Sequence, residues 1–164
     1  MTSQEKSPGT AHRGPALRGG FLLAQVGAYA SMRFAERLEG LGLTPSDVGL
    51  LRMIAVNPGQ SQQTLAQALR VVPSRVVSLI DDLQAKGLVT RERSSSDRRT
   101  YELRLSPVGV EAMEKMREIG SAHENDMMMG LSTEERTTLT ALLAKLAASH
   151  ALAPDVHPGY GSRS

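Results

Sequence analysis

Residues 89–105, VTRERSSSDRRTYELRL, constrain the fold of this chain more than any other segment. Tyr101, Leu103 and Leu105 alternate with Thr100, Glu102 and Arg104, the pattern of a strand with one buried face. A matching short strand begins at Val89, and the small, polar stretch Ser94–Arg98 between them is expected to project into solvent. The segment therefore reads as a hairpin with a basic, arginine-rich tip.

The hairpin directly follows a helix whose two ends are both marked. Pro73 suits a first helical turn, and Gly87 supplies a left-handed stop. Between them Val76, Leu79, Ile80 and Leu83 recur three or four residues apart as a buried stripe. That spacing turns Ser74, Arg75, Ser78, Asp81 and Asp82 outwards, with Val77 at the margin. A shorter helix precedes it, capped by Ser61 and facing inwards with Leu65, Ala66 and Leu69; Arg70-Val71-Val72 makes the turn. Upstream again, Thr44 caps a helix with Pro45 in its first turn and Asp47 favouring its N-terminus. Val48, Leu51 and Ile54 give this helix a buried face, and Asn57-Pro58-Gly59 stops it. Helix, turn, helix and basic hairpin together form the layout of a winged helix-turn-helix, a module whose usual work is reading DNA.

Long helices flank the module. One spans Leu17 to Leu41, with Leu22, Val26, Tyr29, Arg33 or Phe34, and Leu38 at helical spacing, and Gly40 and Gly42 marking its end. Another begins at Ser106-Pro107 and runs to about Met128, where Gly130 breaks it. Ser132 and Glu135 have the spacing of a capping box, and Leu139, Leu142, Leu143 and Leu146 stripe the last helix. The expected fold is mainly α, about six helices with a small β-hairpin wing. Its expected divisions are a disordered arm 1–16, an N-terminal dimerisation helix 17–42, a winged helix-turn-helix 43–105, C-terminal dimerisation helices 106–150 and a disordered tail 151–164. A module this small cannot cover the apolar stripes of the flanking helices. A two-fold homodimer built from both termini is the economical solution, and would hold two reading helices about one DNA turn, roughly 10 bp, apart.

Charge follows the same division. The net charge of the whole chain is only +2, but residues 70–104 carry eight basic and five acidic side chains, whereas residues 106–150 carry four basic and seven acidic. The positive excess lies on the proposed reader, as a polyanionic partner requires. Cysteine is absent, which excludes disulfides, thiolate zinc sites and thiol redox sensing. The four histidines do not converge at metal-ligand spacing, so no metal is expected. No apolar run is long enough to cross a bilayer, and the basic start lacks the apolar stretch of a signal peptide, so a soluble cytoplasmic protein is the default. No phosphate loop, nucleophile elbow or zinc-binding helix motif marks an enzyme.

Residues 43–109 resemble the MarR family of bacterial transcription regulators in the order and spacing of LAQAL, VVSLIDDLQAKGLV, DRR and LRLSPVG, and the flanking helices extend the likeness to about residues 17–150. The resemblance implies a homodimer on a palindromic operator in double-stranded DNA, with the helix Pro73–Lys86 in the major groove and the wing in the adjacent minor groove. Arg99 matches the family's wing-tip arginine and Asp97 the acid that orients it; a guanidinium suits the negative potential of a narrow minor groove. Arg93 and Arg98 complete the candidate wing contacts. On the reading helix the candidates are Ser74, Arg75, Val77 and Ser78, with Arg75 either pairing a guanine edge or clamping a phosphate, and Val77 meeting a thymine methyl. Gln62, Gln63 and Thr64 are either backbone-phosphate contacts or ordinary capping residues. Many relatives are basic at positions 73, 78 and 82, where this chain has Pro73, Ser78 and Asp82. Modest affinity with strong reliance on the wing is the expected consequence.

The likeness also implies a small anionic or aromatic effector held between the dimer helices and the reading module, with no cofactor. Tyr29, Arg33 and Met53 are candidates for its pocket, and Met32, Phe34 and Met116 lie near the same cleft or in ordinary core. The alternative function is a winged helix used only for protein contact, which the acidic Asp81-Asp82 pair favours and the basic wing opposes.

Overall fold

The computed structural model describes residues 18–94 and 101–152. The expected arm, most of the tail and the tip of the wing, including Asp97, Arg98 and Arg99, lie outside the described residues. The described chain runs α1 (Gly19–Leu38), a 3-10 turn (Glu39–Leu41), α2 (Pro45–Val56), α3 (Gln62–Leu69), α4 (Pro73–Ala85), β1 (Val89–Arg93), β2 (Tyr101–Leu105), α5 (Pro107–Met127) and α6 (Thr133–Ser149). Six α-helices and one hairpin among the described residues match the expected architecture.

Local chemistry sets most of the boundaries. Thr44 and Asp47 close a capping box on α2: Asp47 N–H donates to Thr44 Oγ1 at 3.1 Å, and Thr44 N–H donates to Asp47 Oδ2 at 2.9 Å. Ser132 and Glu135 repeat the device on α6. Ser61 and Ser106 cap α3 and α5 by accepting the N–H of Thr64 and Gly109. Gly87 ends α4 at φ +72°, as its place in the sequence predicts. The first helix stops earlier than its periodicity suggests, at Leu38, because the chain tightens into the 3-10 turn before Gly42 turns left-handed at φ +63°.

One core serves the centre of the chain. Leu50, Leu51 and Ile54 of α2, Leu65 and Leu69 of α3, Val76, Ile80 and Leu83 of α4, and Val89 and Leu103 of the hairpin pack together, joined by Leu38 from α1 and Met116 from α5. Val48, expected on the buried face of α2, lies at the edge of this core, and Leu50 occupies the centre instead.

β1 and β2 pair antiparallel with Val89 opposite Leu105, Arg91 opposite Leu103 and Arg93 opposite Tyr101. The segment after α2 adds a short third edge: Gly59 N–H donates to Leu103 O at 2.9 Å, Leu103 N–H donates to Gln60 O at 3.0 Å, and Ser61 bridges Glu102. The hairpin is thus stitched to the turn that opens α3. Tyr101 departs from the expected buried face and is 46% exposed, because it lies at the outer end of the hairpin beyond the helices that cover Leu103.

The junction into α5 is closely packed. Ser106 N–H donates to Leu88 O at 3.0 Å and its hydroxyl donates to Gly87 O at 2.5 Å. A Cβ at Gly109 would sit 2.0 Å from Leu88 O, so the helix can approach only because that residue has no side chain.

Candidate nucleic-acid interface

The outward face of α4 is built by the same periodicity that buries its other side. Val76, Leu79, Ile80 and Leu83 are buried, and this leaves Ser74, Arg75, Val77 and Ser78 exposed together near the N-terminal end, Val77 at 41%. Asp81 and Asp82 continue that face toward the C-terminus. The turn that orients α4 against α3 depends on Arg70, which adopts a left-handed φ of +55° while its N–H donates to Gln67 O. At the other end of α4, the Lys86 ammonium donates to Asp47 Oδ2 at 2.9 Å, pinning the helix to the N-terminus of α2.

Gln62, Gln63 and Thr64 form the first turn of α3, as expected, but two of them already have local partners. Thr64 N–H is taken by Ser61 Oγ, and the two hydroxyls lie 3.0 Å apart. With its amide oxygen turned toward β1, Gln62 accepts from Arg91 Nε and Nη2 at 2.9 and 2.7 Å. Gln63 is exposed.

Of the wing candidates, Arg93 closes β1 opposite Tyr101 and is exposed. Deeper in the hairpin, Arg104 spans both strands, reaching Glu92 at 3.1 Å and Glu102 at 3.0 Å. Hydrogen bonds from Ser94, and then from Arg104, hold the Glu102 carboxyl below its ordinary pKa. Arg91, which sequence reasoning did not single out, carries a denser network. It donates to Asp81 Oδ1 at 2.5 Å and to Gln84 Oε1 at 2.7 Å on α4, besides Gln62 on α3. A signal was present: strand parity places Arg91 with Val89 on the face turned toward the helices.

A cleft of about 850 Å³ opens between α1, α2 and α5, lined by Phe34, Val48, Met113 and Met116, with Arg52 and Arg117 also on its wall. Phe34 and Met116 line it as the sequence suggests. Tyr29, Arg33 and Met53 are not among its lining residues: Tyr29 is exposed on α1, Arg33 pairs with Glu36 at 2.5 Å, and Met53 packs at the edge of the core. Arg52 and Arg117 were missed, because neither is distinguishable in sequence from a solvated helix arginine. Among the described residues no group of acidic or histidine side chains is placed to hold a metal, and no helix is long and apolar enough to cross a membrane.

This arrangement of three core helices, stitched hairpin and flanking helices defines a winged helix-turn-helix regulator, and the comparisons with known proteins agree. CouR, a transcriptional repressor solved bound to a 23-mer DNA duplex, superposes with a TM-score of 0.70 at 27% identity, covering 79% of this chain and 92% of that one. A mutant of MarR from E. coli, solved in complex with operator DNA, shares the fold with a TM-score of 0.67 at 24% identity, covering 77% of this chain and 91% of that one. The model of the MarR family matches residues 41–100. A protein of Thauera aromatica described as a putative transcriptional regulatory protein for the hcr operon is 38% identical over 128 residues, 77% of each chain. The chain belongs to the MarR family of transcriptional regulators, and is not an enzyme.

Proposed function

We propose that the protein binds a palindromic operator in double-stranded DNA as a homodimer, represses transcription from it in the cytoplasm, and releases it when a small anionic molecule binds. The observation that carries this reading is the face of α4: Ser74, Arg75, Val77 and Ser78 are exposed together on a helix whose opposite side is fully packed. A rigid helix presenting short polar, basic and apolar groups fits the major groove. The likeness to CouR, solved on a DNA duplex, supports the same docking.

Homodimerisation is supported by the flanking helices. Phe21, Leu23, Val26, Tyr29 and Met32 of α1 and Leu142 and Leu146 of α6 are exposed in the single chain. Such contiguous apolar faces mark an interaction surface. Residues 17–42 and 106–150 would therefore form the interface, with residues 43–105 as the reader. The cleft beside Arg52 and Arg117 is the proposed effector site, since its apolar lining and two arginines, set against the single carboxylate of Glu124, suit an anion with an apolar body. Ligand binding there would wedge α1 and α5 against α2 and change the spacing of the two reading helices.

Selection of bound duplexes from a random pool by the purified protein tests the reading. Enrichment of a palindrome with half-sites about one turn apart supports it. Within the enriched site, Arg99→Ala is expected to weaken binding more than any single substitution on α4. No enrichment by a folded dimer would instead favour a protein-contact role, to which the exposed Asp82 on α4 is suited.

A further inference from the structure

Arg91 is a charged side chain on the inward face of the wing, where strand parity pairs it with Leu103, a residue with no exposure at all. Its side chain is only 21% exposed, against 55% for its partner Asp81. Its guanidinium nitrogens are spread over three neighbours: Asp81 and Gln84 about one turn apart on α4, and Gln62 on the first turn of α3. One planar fork therefore ties β1 to both helices of the helix-turn-helix. A lysine has a single ammonium on a flexible stem and cannot reproduce three directed contacts from one plane.

We propose that Arg91 is a positioning residue: a charge-neutral strut that fixes the angle between the wing and the reading helix, rather than a contact to phosphate. Asp81 acquires a role in the same step. On the outward face of α4 a free carboxylate would repel the DNA backbone; paired with Arg91 it becomes the anchor that holds the wing. The two residues cancel in charge, so the strut adds geometry without adding non-specific attraction. This inference rests on the DNA-binding reading above.

The test measures binding of the full-length protein to two probes, the duplex enriched by selection and a scrambled duplex of equal length, across a salt titration. For Arg91→Ala we expect binding to the selected duplex to be weaker by about tenfold or more, the scale of a lost positioning contact. Because Arg91→Ala also frees the Asp81 carboxylate, the charge-balanced double variant Arg91→Ala with Asp81→Asn carries the control: its binding to the scrambled duplex, and its slope of log affinity against log salt, should stay unchanged. Arg91→Lys should behave like Arg91→Ala. Asp81→Asn should show a smaller loss of the same kind, and the double variant Arg91→Ala with Asp81→Asn should be no worse than Arg91→Ala alone. Thermal melting of each variant separates this from instability, since a merely structural role would lower the melting temperature while leaving the ratio of the two affinities unchanged.

Two results overturn the proposal. One is a salt slope reduced in the double variant by about 0.9, the amount one phosphate contact contributes, with full affinity retained by Arg91→Lys. The other is an equal loss on both probes by the charge-balanced double variant. If the wild type enriches no duplex, the DNA-binding reading itself fails and the strut falls with it; variant behaviour on an enriched duplex addresses the strut alone.

Discussion

The centre of the chain and its flanks are made of the same kinds of residue and have opposite fates. Every buried apolar side chain among the described residues lies in the span from Leu38 to Met116. Leu38, at its very end, is the buried residue of α1, and α6 has none, although both helices carry leucines at helical spacing. In the centre, each stripe meets another: α2, α3, α4 and the hairpin share one buried cluster that includes Leu83 and Leu103. In the flanks, the outer stripes of α1 and α6 stay open to solvent in the single chain. Helical stability comes mostly from burying an apolar face, so the proposed dimer predicts a centre that holds its shape alone and flanks that need the partner chain.

The sharpest way to break this contrast is to damage both regions equally on paper. Leu83→Ala removes a fully buried side chain from the middle of the core and is expected to cost about 2–5 kcal/mol. Its mark in thermal melting should be a loss independent of protein concentration. Replacing both Leu142 and Leu146 with Asp touches residues that are 55% and 45% exposed in the single chain. We expect the hairpin and reading helix to keep their structure, the mass by light scattering to fall to one chain, and operator affinity to drop about 100-fold as two linked half-site contacts become one. A dimer that survives this double substitution would place the interface elsewhere.

Gly109→Ala probes the seam between the two regions. The added Cβ collides with the backbone of Leu88, which cannot move without pulling β1, so the cost is about 1–3 kcal/mol of overpacking. Wing and α5 should loosen together in hydrogen exchange; loosening of α5 alone would show that the hairpin does not depend on this seam.

The legible part of the fold was the part written in local chemistry. Thr44, Ser61, Pro73, Gly87 and the Ser132–Glu135 box each mark a helix end by a rule that involves only a few neighbouring residues, and the structure places ends at all of them. Features that needed a third dimension were missed. Tyr101 obeys the alternation of its strand but lies past the edge of the helices that bury Leu103. Arg91 looked like one more basic residue in a basic hairpin, when its parity already set it facing α4. Asp81 looked like an obstacle to DNA, because its partner is ten residues away and on another element. The cleft residues Arg52 and Arg117 come from α2 and α5, and nothing in either helix announces the other.

The α1–α5 contact allows a smaller test, in pH. His123 on α5 packs against Phe34 on α1, with ring centroids 5.3 Å apart and planes tilted by 45°, and Arg37 and Arg33 of α1 and Glu124 and Asp126 of α5 surround it. Arg37 is itself tied to Asp126. Burial first, and the Arg37 charge second, hold the imidazole pKa below its usual 6.5. Because the folded pKa is depressed, the unfolded chain takes up the proton more readily. Stability from this site is therefore complete above pH 6.5 and is lost as the pH falls through the folded pKa. A His123→Phe variant should flatten the acid side of the melting profile; an unchanged profile would show that other groups dominate there.

The smallest expected effect is also the most direct comparison, because α2 and α6 begin with the same device. Thr44→Ala and Ser132→Ala each delete the hydroxyl that accepts an N–H from the residue three positions on. In α2 the first turn is also held by the Lys86–Asp47 bridge, and Leu50 and Leu51 are buried in the turn that follows, so the loss is about 1 kcal/mol, spread over the cooperative unit. In α6 no buried apolar side chain backs up the cap. The same deletion should leave the melting of residues 43–105 unchanged while fraying the start of α6, and it should appear as a weaker dimer at low concentration. If Ser132→Ala instead lowered the melting of the central module, α6 would be part of that module's folding unit, and the division between a self-sufficient centre and partner-dependent flanks would have to be redrawn.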